Sequence, residues 1–146
     1  MPKYQQGFYR PRFPEKYKGD PTKICFRSSW EKKLMIWCDT NSAVVSWQSE
    51  EVVIPYRSPI DGRIHRYFPD FTVQIKTQSG KIETWIVEVK PEAQTKEPKP
   101  QQRKTRKYIN EVKTYAINKY KWDAAVEWCK DRNYKFIIMT EKHLAV

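Results

Sequence analysis

The sequence is poor in histidine, glycine and cysteine and has no long apolar run. Its two histidines are too few for a metal or nucleophilic centre based on several imidazoles. Its three cysteines are an odd number without a CxxC pair, which favours reduced thiols over a disulfide framework or a zinc site. The longest apolar run covers only residues 34–38, and a membrane-spanning helix needs ~20 residues. We therefore expect carboxylates to carry any chemistry, with no membrane partner and no signal peptide.

Basic residues are in large excess over acidic ones. The chain has 28 Lys and Arg residues against 17 Asp and Glu, a formal net charge of +11 and a pI of about 9.6. Such a field attracts polyanions, with nucleic acid or an anionic membrane surface as the candidates. At 146 residues, with 6 Trp, 9 Tyr and 6 Phe, the chain is long enough for one domain with an aromatic-rich core.

The order of the sequence patterns predicts a single α/β domain behind a basic arm. Residues 1–27 are rich in proline, aromatic and basic residues, and they predict an irregular arm packed on a domain that spans 28–146. Ser28 and Glu31 form a capping-box pattern at the start of a helix. Short runs rich in Val, Ile, Tyr and Trp follow, and the turn residues between them predict an antiparallel meander. These runs are 43–47, 52–56, 63–68, 71–76 and 81–89.

The last third of the chain predicts two helices and a closing strand. Residues 96–107 are basic and contain two prolines, which predicts a mobile loop that leads into a helix with Tyr108 on its apolar stripe. A second helix is expected over 122–132, with Asn133 as its cap. Residues 134–140 are then the final strand.

Two charged side chains interrupt the most apolar predicted strand. Glu88 and Lys90 are two positions apart and therefore share one face of that strand. Charges that face inward cost free energy unless they are paired or bind a metal. Both residues are candidate site residues, and a simple salt bridge at a strand end near solvent is the alternative.

The preceding hairpin brings a second carboxylate to the same place. A three-residue turn that ends at Gly80 sets a register in which Asp70 lies opposite Glu88. Two carboxylates about 5 Å apart at Cβ cannot comfortably both be ionised without a cation. Their oxygens suit Mg²⁺ or Mn²⁺, and Lys90 beside such an ion could orient an attacking water. A cap of the turn after Pro69 is the alternative role for Asp70.

The pair Pro69-Asp70 followed by Glu88-Val89-Lys90 resembles the PD-(D/E)xK signature of restriction-endonuclease-like nucleases. The segment around Glu31 and the segment Ile54-Pro55-Tyr56 resemble parts of the transposon-encoded endonucleases in that superfamily. The pattern of the whole chain looks most like the head-completion nucleases of large contractile-tailed bacteriophages. The resemblance implies a restriction-endonuclease-like α/β core, in which a mixed β-sheet with an antiparallel meander is flanked by helices.

The same resemblance implies a metal-dependent DNA endonuclease. Asp70, Glu88 and the Val89 carbonyl would bind Mg²⁺ or Mn²⁺, Lys90 would be the water-positioning base, and Glu31 would be an outer metal or water ligand. A role in the helix cap alone is the alternative for Glu31. The implied partners are double-stranded DNA and proteins of the phage head, portal or neck, in the host cytoplasm and in association with the virion.

A non-catalytic head-completion protein that binds a DNA end is the second hypothesis. The inward-facing acidic pair discriminates between the two hypotheses, because carboxylates beside a phosphate would only oppose binding. Basic residues near the proposed metal site are candidate DNA contacts in either case, although a charge run is often only a solvated loop. The candidate contacts are Lys99, Arg103, Lys104, Arg106, Tyr56 and Arg66.

Overall fold

The computed structural model describes residues 6–144, which form strands, helices and two short 3₁₀ turns. The strands are β1 (Gly7–Phe8), β2 (Cys25–Phe26), β3 (Val44–Ser49), β4 (Ile54–Arg57), β5 (Ile64–Tyr67), β6 (Phe71–Lys76), β7 (Ile82–Val89) and β8 (Lys135–Met139). The helices are α1 (Ser29–Thr40), α2 (Arg106–Arg132) and α3 (Glu141–Leu144), and the 3₁₀ turns are Pro14–Lys16 and Glu92–Thr95. Residues 1–5 of the predicted arm and 145–146 of the predicted domain lie outside the described residues. Within 6–144, no helix is long and apolar enough to cross a membrane.

The central sheet is four-stranded and mixed, in the order β3-β6-β7-β8. β3, β6 and β7 pair in antiparallel fashion, and β8 joins β7 in parallel. The structure confirms the predicted α/β fold with a mixed sheet flanked by helices. The predicted simple meander is wrong in one respect, because β4 and β5 pair only with each other and β3 pairs with β6.

The separate β4–β5 hairpin has a physical reason in its apolar face. Glu50 adopts a left-handed conformation (φ 55°) directly after β3, which turns the chain away from the sheet. Ile54, Tyr56 and Tyr67 on the hairpin are buried together with Trp122 of α2. The apolar side of the hairpin is therefore covered by α2. The alternation of apolar and polar residues in the sequence fits this arrangement and pairing of β4 with β3 equally well.

The β6–β7 hairpin has the register that the turn residues predict. Phe71 pairs with Val87 in the antiparallel ladder. The N–H of Thr77 donates to the Lys81 carbonyl over 2.8 Å, and Gly80 closes the turn with a φ of 85°. Because this left-handed conformation strains residues with a Cβ, the glycine helps to fix the register on which the carboxylate pair depends.

One long helix packs on each face of the sheet. The hydroxyl of Ser28 accepts a hydrogen bond from the N–H of Glu31 over 3.1 Å, which confirms the predicted start of α1. Leu34 and Cys38 of α1 are buried against one face of the sheet with Val87. α2 packs on the opposite face, where its Trp122 and Ala125 meet Ile86 of β7.

The predicted break between two C-terminal helices is wrong. α2 is continuous over 27 residues, and Asn133 ends it in the left-handed conformation with a φ of 58°. The segment 117–121 contains no glycine or proline that could interrupt a helix. The buried position in this segment is occupied by the polar Asn118, so the apolar pattern is interrupted although the helix continues.

Residues 6–27 pack on α1 and the sheet with a buried carboxylate as their anchor. Tyr17, Ile24 and Phe26 are part of the first buried cluster. Asp39 of α1 is fully buried. Its carboxylate accepts hydrogen bonds from the Tyr9 hydroxyl (2.6 Å) and from the backbone N–H groups of Arg12 (2.6 Å) and Phe13 (2.9 Å). The predicted boundary at residues 27 and 28 stays a prediction.

Lys16 completes this anchor. We call the anchor, which consists of Asp39, Tyr9, Arg12, Phe13 and Lys16, the Asp39 clamp. The ammonium group of Lys16 donates to the backbone carbonyls of Asp39 (3.0 Å) and Asn41 (2.8 Å), at the C-terminal end of α1. Burial alone would raise the pKa of Asp39, but the hydrogen bonds outweigh burial and hold that pKa below its usual value. The arm is therefore bound through a charged carboxylate and not only through its aromatic side chains.

Candidate active site

The candidate site lies where β6 begins and β7 ends. Asp70 directly precedes β6, and Glu88 is the penultimate residue of β7. The pairing of Phe71 with Val87 continues by one step to place Asp70 beside Glu88. One carboxylate oxygen of Asp70 accepts a hydrogen bond from the Val89 N–H over 2.7 Å. The structure thus brings together the two carboxylates that the hairpin register predicts.

The two carboxylates repel each other where Asp70 is partly buried and Glu88 is buried. Burial, followed by the negative charge of Glu88, holds the pKa of Asp70 well above its usual value. The hydrogen bond from Val89 acts in the opposite direction, and the charge of Glu31 adds to the increase. Glu88 is itself 7% exposed. The pair therefore favours a shared proton or a bound cation over two free negative charges.

Two side chains hold Glu88 in place. The hydroxyl of Tyr67, at the end of β5, donates a hydrogen bond to Glu88 Oε1 in a buried position. The ammonium nitrogen of Lys90 lies 3.7 Å from Glu88 Oε2. Burial, and then the charge of Glu88, raises the pKa of the Tyr67 hydroxyl, so this group stays a neutral donor. The side chain of Lys90 is partly exposed. Its backbone N–H donates to the Met139 carbonyl over 2.9 Å, which fixes the end of β7 to β8.

Glu31 lies near the pair but belongs to the helix cap. One of its oxygens lies 3.4 Å from the Arg27 N–H, and the other lies 3.5 Å from the Ser28 hydroxyl. Burial raises its pKa, as does the charge of Glu50. Among residues 6–144, no group of three or more His, Cys, Asp or Glu residues is close enough together to hold a metal ion. The structure therefore does not place Glu31 as a direct ligand beside the pair, and its role as an outer ligand stays a prediction.

Lys121 of α2 is a site residue that the sequence analysis missed, as it missed Tyr67. Its ammonium nitrogen lies 5.6 Å from the centre of the Tyr67 ring and 5.8 Å from the centre of the Tyr56 ring. Burial lowers the pKa of Lys121, whereas the charge of Glu88 raises it. In the sequence, Lys121 differs from the other lysines of the helix in that it directly precedes Trp122. This signal is too weak to identify it as a site residue.

The predicted DNA contacts are spread over two regions. The basic loop, residues 96–106, leads from the Glu92–Thr95 turn to the start of α2, and Lys99, Arg103, Lys104 and Arg106 are all exposed. Beside it, a cleft of about 740 Å³ lies between that turn and α2. Arg66 is exposed on β5. Tyr56 is instead buried in the core cluster with Trp122, so the structure places its ring inside the protein and not in an open groove.

The donor atoms at this position fit a hard divalent cation. Asp70 and Glu88 offer carboxylate oxygens, and the backbone N–H of Val89 fixes the carboxylate of Asp70. Mg²⁺ is usually bound through one or two carboxylates and keeps several of its waters. Sulfur and imidazole ligands, which softer metals prefer, are not part of this cluster. The two carboxylates are thus donors of the kind that Mg²⁺ and Mn²⁺ prefer.

A mixed sheet with helices on both faces and a carboxylate pair beside a lysine defines a restriction-endonuclease-like protein. The family model described as TnsA-like endonuclease N terminal matches residues 41–141, and the chain belongs to this endonuclease family. The chain is also 39% identical over 142 residues to the head completion nuclease of Enterobacteria phage T4. That match covers 94% of this chain and 92% of the phage protein.

Proposed function

We propose that this protein is a metal-dependent DNA endonuclease that acts in the completion of a phage head. The observation that supports this function most directly is the pair of partly buried Asp70 and buried Glu88 with Lys90 at its side. The name of the T4 relative supports the place in head completion. By the same likeness, the partners are proteins of the phage head, portal or neck, and the protein acts in the host cytoplasm and in association with the virion.

Each residue of the site has a role that follows from its position. Asp70 and Glu88 would hold Mg²⁺ or Mn²⁺ together with the Val89 carbonyl, and the N–H of Val89 fixes the carboxylate of Asp70. A divalent ion bound there would supply charge stabilisation to the phosphoryl oxygen and to the leaving group. Lys90, held 3.7 Å from Glu88, orients the attacking water. Tyr67 keeps the carboxylate of Glu88 aimed at this point.

Cleavage of supercoiled plasmid DNA tests the proposed function. Reactions with Mg²⁺, with Mn²⁺ and with EDTA should give nicked or linear DNA only in the two metal reactions. Duplex, branched and single-stranded substrates are included because the site itself defines no DNA structure. If no substrate is cut in any metal, the chain is better described as a protein that binds a DNA end without cutting it.

Added metal should stabilise the protein against heat. A divalent ion relieves the repulsion between Asp70 and Glu88, so Mn²⁺ well above its dissociation constant should add on the order of 1–3 kcal/mol to the free energy of unfolding. Thermal melts in Mn²⁺ and in EDTA measure the effect. The double variant Asp70→Asn, Glu88→Gln is the control, and it should show no shift. An equal shift in that variant would locate the metal elsewhere.

Neutral side chains in the basic loop should weaken DNA binding for all sequences alike. The combined substitution changes Lys99, Arg103, Lys104 and Arg106 to Gln. Phosphate contacts release counterions, so the slope of log K against log salt should fall by up to about 0.9 for each contact that is lost. A salt titration of duplex binding measures the slope, and the metal-dependent shift in melting should persist in the variant. An unchanged slope would mean that the loop is only solvated.

A further inference from the structure

Lys121 is a half-buried cation that has no carboxylate of its own. Among the described residues, no Asp or Glu oxygen lies within 4 Å of its ammonium nitrogen. Lys119, two positions earlier on the same helix, is exposed and binds Asp123 over 3.1 Å. A half-buried ammonium group loses part of its hydration, and a carboxylate at contact distance would offset that loss. Its place in the fold therefore calls for another explanation than an ordinary ion pair.

Two aromatic rings hold this cation beside the carboxylate pair. The rings of Tyr67 and Tyr56 lie 5.6 Å and 5.8 Å from the Lys121 nitrogen, within the range of a cation–π contact. Tyr67 also donates its hydroxyl to Glu88, so one side chain connects Lys121 to the candidate metal ligand. The ammonium group is thus placed at the edge of the site, where among the described residues it forms no contact ion pair.

The negative charge of the carboxylate pair must be compensated before a phosphodiester can bind beside it, and a second lysine could provide that charge. A phosphodiester that approaches Asp70 and Glu88 is repelled by both carboxylates until positive charge compensates them. Lys90 lies against Glu88, at the end of the strand, and its role concerns the water. Lys121 comes from α2 instead, and its charge is still available to an incoming anion.

We infer that Lys121 is a phosphate-binding residue of this site, which contacts a non-bridging oxygen of the phosphodiester beside the carboxylate pair. This inference rests on the proposed function, because the phosphodiester is the bound group. Arg106 at the start of α2 and Lys121 further along lie on the same continuous helix. DNA contacts from the end of the basic loop and from the candidate site would then both come from α2.

The substitution Lys121→Gln tests the inference. Loss of one charge-assisted contact should lower kcat/KM by about 10- to 100-fold. Lys121→Arg keeps the charge and should retain most of the activity. Lys119→Gln is the matched control, because it removes a charge from the same helix at an exposed position, and it should cut DNA at the wild-type rate. Thermal melts should show Lys121→Gln to be as stable as the wild type or more stable.

Binding in Ca²⁺ separates this inference from the proposed function. The slope of log K against log salt should fall by about 0.9 in Lys121→Gln and should not change in Lys119→Gln. If the wild type cuts no DNA, the proposed function fails, and the slope still decides whether Lys121 binds phosphate. A wild-type slope in Lys121→Gln would overturn the inference, and a lower melting temperature in EDTA beside it would show that Lys121 neutralises Glu88 instead.

Discussion

Lys90→Ala should lower the rate of single-turnover DNA cleavage by about 10²- to 10⁴-fold, the usual range for loss of a group that moves or orients a proton. The fold and the affinity for duplex DNA should change little, because one partly exposed lysine among 28 basic residues contributes little to the overall field. Asp70→Ala should be at least as severe, since it removes a proposed metal ligand. Cleavage is measured with metal, and affinity is titrated separately in Ca²⁺.

A lysine at the far end of the sheet provides the control for this comparison. Lys135 begins β8 and binds Glu83 on the surface over 3.1 Å, so Lys135→Ala removes the same charge from a neighbouring strand. It should cleave DNA like the wild type. Wild-type rates in both Lys90→Ala and Asp70→Ala would exclude the roles assigned to these residues, whatever the activity of the intact protein.

Asp39→Ala should reduce the free energy of unfolding by about 2–5 kcal/mol, because it leaves three partly buried hydrogen-bond donors without their charged acceptor. The donors are the Tyr9 hydroxyl and the backbone N–H groups of Arg12 and Phe13, which come from the arm. Urea unfolding followed by tryptophan fluorescence measures the change. Asp123→Ala, on the exposed side of α2, is the control and should change stability by less than about 0.5 kcal/mol.

The effect of Asp39 should also depend on pH in a defined direction. The pKa of Asp39 is lower in the folded protein than in the unfolded chain, where it is about 3.9. Its contribution is therefore complete above that value and is lost as the pH falls through the folded pKa. The difference between the wild type and Asp39→Ala should shrink in acid. A difference that is constant down to the lowest pH would argue against a charged carboxylate in the clamp.

The part of the site that the sequence predicted depends on local geometry. One glycine turn fixes the register of β6 and β7, so the distance in sequence from Gly80 was enough to place Asp70 beside Glu88. The start of α1 at Ser28 was equally local. Both depend on residues close together along the chain, where hydrogen-bonding rules are strong.

The contacts that the sequence could not predict join residues that are far apart along the chain. Tyr67 reaches Glu88 across 21 positions, and Asp39 reaches the arm across 26 to 30 positions. The same limit explains the wrong partner for β3, since a run of alternating residues fits any neighbouring strand with a matching face. Lys121 looks like any other lysine of α2 until the hairpin packs against that helix.

The β4–β5 hairpin contributes a side chain to the candidate site but no strand to the central sheet. Because β3 pairs directly with β6, the sheet is complete without the hairpin, yet the hydroxyl that holds Glu88 comes from Tyr67 at the hairpin's base. The opposite side of the hairpin carries the exposed residues Arg57, Ile64 and Arg66. Displacement of this hairpin would therefore remove a hydrogen bond from Glu88 without breaking any strand pair of the central sheet.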